Sequence, residues 1–211
     1  MRHFNTSKLA GYFVGISLIL MALFKVVFGI YSQANFKNGF VVIVAGAYSF
    51  LIALTRIIYA RNIDSDERKQ LYVYRNFAFI LIPVAILFFI SNMITLNDNV
   101  VDYGLAFDII ITFVFLSLFI FSLKGIFKLG SQNVLTRSVK LVSFTGSLIN
   151  LVFIEHIFEY QLQNLLGVSV YSDFKFWFTI VIVCIILFLS LIMLIASIIH
   201  VHNYKKERGM I

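Results

Sequence analysis

The chain has 211 residues, of which 61% are hydrophobic and 13% charged, and its mean hydropathy is +0.95. Soluble domains carry about 45–50% apolar and about 25% charged residues, so this composition excludes a soluble globular fold, a disordered chain and a nucleic-acid-binding domain. A bilayer must solvate much of the surface, and the net charge of +7 has to be read as a membrane-topology signal.

Crossing the hydrocarbon takes about 20 consecutive apolar residues. Six stretches qualify, over residues 9–31, 40–59, 77–96, 103–123, 141–161 and 176–199. The first carries small residues near its end, Ser32 and Ala34, as a secretory cleavage site would, but it is too long for a signal segment and is read as a retained span. Between the second and third lies the longest loop, residues 62–75, whose "IDSDERKQ" reads as a solvated connector. The third contains Pro83, the only proline, so few kinks are expected. The fourth and sixth are the most continuous. The fifth is diluted by Ser143, Thr145, Ser147 and Asn150. A five-span arrangement would lay it on the membrane surface, but its length and apolar end favour a crossing. Cys184, the only cysteine, rules out an intrachain disulfide and reads as inert packing within the sixth stretch.

Basic residues fix the orientation. Arg2 and Lys8 precede the first stretch, Arg56, Arg61, Arg68, Lys69 and Arg75 surround the second loop, Lys124, Lys128, Arg137 and Lys140 surround the fourth, and Lys205, Lys206 and Arg208 form the tail. The opposite side has Lys37 and Lys175, and Lys25 falls inside the first stretch. The expected fold is therefore all-α, a single polytopic membrane domain built as a six-transmembrane-helix bundle with both termini cytoplasmic. Tyr31, Tyr103, Tyr160, Tyr171 and Trp177 fall near the outer boundaries, where an aromatic belt belongs.

Small residues mark close helix approach: Gly11 and Gly15 in the first stretch, and Ala45-Gly46-Ala47 in the second. Internal packing is the plain reading of these patches, and a homodimer or another membrane partner is the alternative. A spacing of 68 residues aligns Arg56 with Lys124 and Tyr59 with Phe127. That spacing fits a duplicated hairpin and equally fits any hairpin that keeps its basic loop inside. Asn92 and Asn150 are expected to hydrogen-bond between helices.

The run "AYSFLIALTRIIYARN" and the basic loop leading into "RSVKLVSFTGSLINLVF" resemble small six-span membrane proteins of unknown function in Gram-positive bacteria, over most of residues 40–200. The resemblance implies a membrane fold and a bacterial plasma membrane, and it implies no chemistry. It departs at the fifth stretch, where Glu155 and His156 are adjacent.

An ionisable group within the bilayer is costly and is a functional candidate by default. At about 1.5 Å of rise per residue, Lys25 and Glu155 each lie about 9 Å below the outer edge of their stretches, and Asp108 about 7 Å below its own. Glu159 is shallower and shares a helix face with Glu155, four residues away, while His156 nearly shares one with Glu159. Four charges on three helices, Lys25, Asp108, Glu155 and Glu159, thus converge on one level, and with His156 they make up the candidate pocket. Three readings fit them: an ion-pair network that fixes helix register, an outward-facing acidic pocket for a cation or small cationic solute, and an acid–base site for chemistry on a lipid or lipidated substrate.

The expected function is binding or transport of a cation in that outward-facing pocket. The alternatives are an intramembrane enzyme using His156 with Glu155 or Glu159, and a non-catalytic accessory or immunity-type protein. Glu-His-x-x-Glu departs from the zincin order, and with one histidine no metal is expected. No glycine-rich phosphate loop or nucleotide motif implies a cofactor. His200 and His202 read as a solvated helix end beside Lys205 and Lys206. That tail is expected to meet anionic lipid headgroups at the cytoplasmic face, and no nucleic acid is expected as a partner.

Overall fold

With one proline in the chain, little in the apolar runs removes a backbone donor, and each run propagates as one helix. The computed structural model describes residues 6–31, 36–94, 105–127, 133–167, 172–207 and 209. They form six helices, α1 (Thr6–Tyr31), α2 (Phe36–Asn62), α3 (Glu67–Ile94), α4 (Leu105–Phe127), α5 (Val134–Leu166) and α6 (Ser172–Glu207), with no strand among the described residues. Four helical stretches, Glu67–Ile94, Asp108–Phe127, Val134–Leu166 and Phe174–Glu207, are long and apolar enough to cross a membrane.

The helices run past the apolar stretches, and this shortens the expected connector at residues 62–75, whose Asp64, Asp66, Glu67, Arg68 and Lys69 are exposed as a solvated segment requires. Only the four residues between Asn62 and Glu67 are non-helical. Local bonds close the gap. Ser65 donates from both its N–H (3.0 Å) and its hydroxyl (2.7 Å) to the Asn62 carbonyl, and the Gln70 amide folds back onto the carbonyls of Ile63 (3.0 Å) and Ser65 (2.9 Å). Glu67 in the first turn of α3 complements the positive end of the helix dipole. Asn133 caps α5 by accepting the Leu135 N–H at 3.0 Å.

Packing proceeds in antiparallel pairs: α1 on α2, α3 on α6 and α4 on α5. In the first pair, a Cβ built on Gly11 would meet the Ala60 Cβ at 3.0 Å, and one on Gly46 would meet the Ala22 carbonyl oxygen at 3.0 Å. The small residues of α1 and α2 are therefore occupied by each other, as the internal-packing reading requires. Two apolar clusters form the core. Tyr48, Phe88, Ile149, Val152 and Ile186 meet in one, and Tyr74, Phe77, Leu135, Val139 and Met193 in the other.

The helix with the most diluted apolar run is the central one. α5 contacts α2, α3, α4 and α6, which is not a surface position. Its hydroxyls bridge to neighbours. Tyr48 Oη and Thr145 Oγ1 lie 3.0 Å apart, Arg56 Nη2 donates to Ser143 Oγ at 2.6 Å, and the hydroxyls of Ser122 and Ser147 share a 2.6 Å bond. α4, by contrast, exposes most of its length, with Phe113 72% and Phe121 70% exposed. Arg56 and Lys124, equivalent by the 68-residue spacing, occupy different settings: Lys124 is exposed, its ammonium 6.0 Å from the centre of the Phe121 ring. Cys184 is exposed on α6 and not packed inside, a second correction. Asn92 donates to the Phe88 carbonyl of its own helix at 2.9 Å.

Candidate functional site

Glu155 and Glu159 lie one turn apart on α5 and so project from one face. Across from them stands Lys175, in the first turn of α6 and 2% exposed. Its Nζ is 3.7 Å from Glu159 Oε2. That is an ion pair too long to be a hydrogen bond, and Glu159 Oε2 is buried without any hydrogen-bond partner. Glu155 lies one turn back on the same face of α5, so both carboxylates fall on the side that meets Lys175.

The antiparallel register extends that group by one residue. Glu159 sits opposite Lys175, so four residues back along α5 and four forward along α6, Glu155 faces the level of Thr179. Thr179 is fully buried, and its hydroxyl oxygen has no hydrogen-bond partner. By this register two carboxylates, one ammonium and one hydroxyl fall within two turns of the α5–α6 pair, and Glu159 Oε2 and Thr179 Oγ1 are buried without hydrogen-bond partners. Such atoms are costly to leave unmade. Oxygen ligands of this kind suit a proton or a hard cation.

The remaining candidates separate from this group. Asp108, 3% exposed, accepts a 2.7 Å bond from Gln161 Nε2, while its other oxygen, Oδ1, is buried without a hydrogen-bond partner. Gln161 lies on a different face of α5 from Glu155, so the α4–α5 contact is a second polar point at a neighbouring depth. The side chains of Lys25 and His156 lie outside the described residues.

Lys175, Thr179 and Gln161 were not among the residues the sequence singled out. Lys175 was placed in the loop before the sixth stretch because the apolar run starts at Phe176. The helix begins at Ser172, and starting it there puts Lys175 and Thr179 one turn apart on a single face. Thr179 carried no signal of its own, since a threonine in an apolar run is ordinary.

No protein-family model, no curated protein and no solved structure matches the chain.

Proposed function

We propose that the chain is a six-span protein of a bacterial plasma membrane, with both termini cytoplasmic, that binds or moves a small cation through the group at the α5–α6 seam. Glu155 and Glu159 supply the negative charge, Thr179 a neutral oxygen, and Lys175 the competing internal cation. The observation that carries this reading is the buried polar pair at the seam: Lys175 Nζ stands 3.7 Å from Glu159 Oε2, and Glu159 Oε2 and Thr179 Oγ1 are buried without a hydrogen-bond partner. Oxygens buried in this way suit a small hard cation.

The test is uptake into proteoliposomes containing the full chain, with radiolabelled rubidium, sodium and methylammonium offered separately. Glu155→Gln keeps the shape of the side chain and removes its charge. The expected result is uptake of at least one probe by the native chain, reduced at least tenfold in Glu155→Gln, with the variant still eluting as a folded protein. Equal uptake by the two proteins would remove the reading.

A further inference from the structure

At the end of the bundle opposite the carboxylate group, α3 and α6 part to form an open groove of about 580 Å³ lined by Arg75, Ser197, Ile198, Val201, His202 and Lys205. Its walls are mostly aliphatic and its mouth is basic. Arg75 Nε is buried without a hydrogen-bond partner, and the guanidinium stands 4.9 Å from the centre of the Tyr72 ring. Arg68, two turns earlier on α3, lies over the same ring at 5.8 Å. Lys205 lines the groove with Arg75. Among the described residues no carboxylate pairs with Arg68, Arg75 or Lys205. Arg68 and Arg75 therefore stand over one aromatic ring, with Lys205 in the same groove as Arg75.

The two helices carry the groove onward as apolar ridges. On α6, Ile198, Ile195 and Leu191 are 64%, 50% and 54% exposed at helical spacing, and on α3, Phe79 and Ile86 continue the face of Arg75 at 55% and 49%. A ligand that fits must be anionic at one end and long and apolar at the other. We propose that this groove is a binding site for an anionic phospholipid of the inner leaflet, its phosphate held by Arg75 and Lys205 and its acyl chains laid along Ile198, Ile195 and Phe79. Charge complementarity selects the headgroup, since each basic residue near the surface adds to the affinity for an anionic lipid and nothing to that for a neutral one. The inference rests on the membrane-spanning reading of the chain but is independent of the cation group, so either can fail without the other.

The experiment is native mass spectrometry of the full chain in detergent, with dioleoyl-phosphatidylglycerol and dioleoyl-phosphatidylcholine added at equal concentration. The native chain should retain the anionic lipid about tenfold more than the neutral one. Arg75→Gln combined with Lys205→Gln should abolish that preference, while Lys124→Gln, a basic residue exposed on α4, should keep it. Glycerol phosphate in excess should leave the bound phosphatidylglycerol in place, because it lacks the chains that fill the groove. Equal retention of the two lipids by the native chain would overturn the proposal even if the double variant fails to fold. So would unchanged preference in the double variant, loss of preference in Lys124→Gln, or displacement by glycerol phosphate.

Discussion

Lys175 of α6 holds its ammonium 3.7 Å from the carboxylate of Glu159 on α5, with the lysine side chain 3% exposed and the glutamate 17%. Neither charge has water enough to stand alone. Removing one member of a buried pair leaves the other uncompensated, whereas removing both is often near neutral. Lys175→Met is therefore expected to destabilise the protein by on the order of 3 kcal/mol. Adding Glu159→Gln to Lys175→Met should restore most of that loss. Heat-induced unfolding in detergent reads both, and a double variant no better than the single would show that the two residues are not energetically coupled.

Thr179 separates stability from function. Valine has the shape of threonine with a methyl in place of the hydroxyl, and the Thr179 hydroxyl is buried without a hydrogen-bond partner. Thr179→Val should leave the unfolding midpoint unchanged or raise it, by up to about 1 kcal/mol of stability. If the hydroxyl contributes an oxygen to a cation, uptake of the same probe should fall about tenfold, the equivalent of about 1.4 kcal/mol. Reduced stability with full uptake would assign Thr179 a purely structural part.

The number of helices was legible because it depends on the lengths of apolar runs, and these survive errors of several residues. The importance of α5 was harder to read. Ser143, Thr145 and Ser147 lower its hydropathy, which resembles a poor membrane segment, yet each bonds to a neighbouring helix. Hydropathy measures affinity for lipid, and a helix enclosed by other helices does not need it. α4, with the more apolar surface, is peripheral for the same reason. In the candidate site, the shared face of Glu155 and Glu159 followed from helical spacing alone. Their cation did not, because a boundary displaced by four residues turned Lys175 from a helix residue into a loop residue. That Asp108 bonds Gln161 depends on the azimuth of α4 around α5, and depth along a helix axis carries no information about azimuth.

Close contact between α1 and α2 predicts a contrast between two glycines. A Cβ at Gly46 would lie 2.7 Å from Val26 Cγ2 and 3.0 Å from the Ala22 carbonyl oxygen, and the latter is backbone that moves only if α1 moves. Gly46→Val should cost about 1–3 kcal/mol through overpacking. A Cβ at Gly125 would make only ordinary contact, at 3.8 Å from the Lys140 side chain. Gly125→Ala should be neutral or stabilising by up to about 1 kcal/mol, since alanine is the better helix former. Thermal unfolding of the two variants in the same detergent checks the pair, and similar costs at both sites would contradict the α1–α2 packing.

The orientation of the bundle can be read with single cysteines in a Cys184→Ser background, which removes the one native thiol. Ser65, Glu67, Asn133, Arg137 and His200 line a single groove of about 490 Å³, so the α2–α3 connection, the start of α5 and the end of α6 share one end of the bundle. Lys8 joins them there, its Nζ 2.6 Å from Asp64 Oδ2. The far end of α5 carries exposed Asn164. Because the shared end holds most of the basic residues, it should face the cytoplasm. A membrane-impermeant maleimide applied to intact cells should modify Asn164→Cys, and should reach Ser65→Cys only after the membrane is permeabilised. The reverse pattern would place the carboxylate group toward the cytoplasmic face and the basic groove toward the outer leaflet, and the lipid proposed for that groove would then have to come from the wrong side.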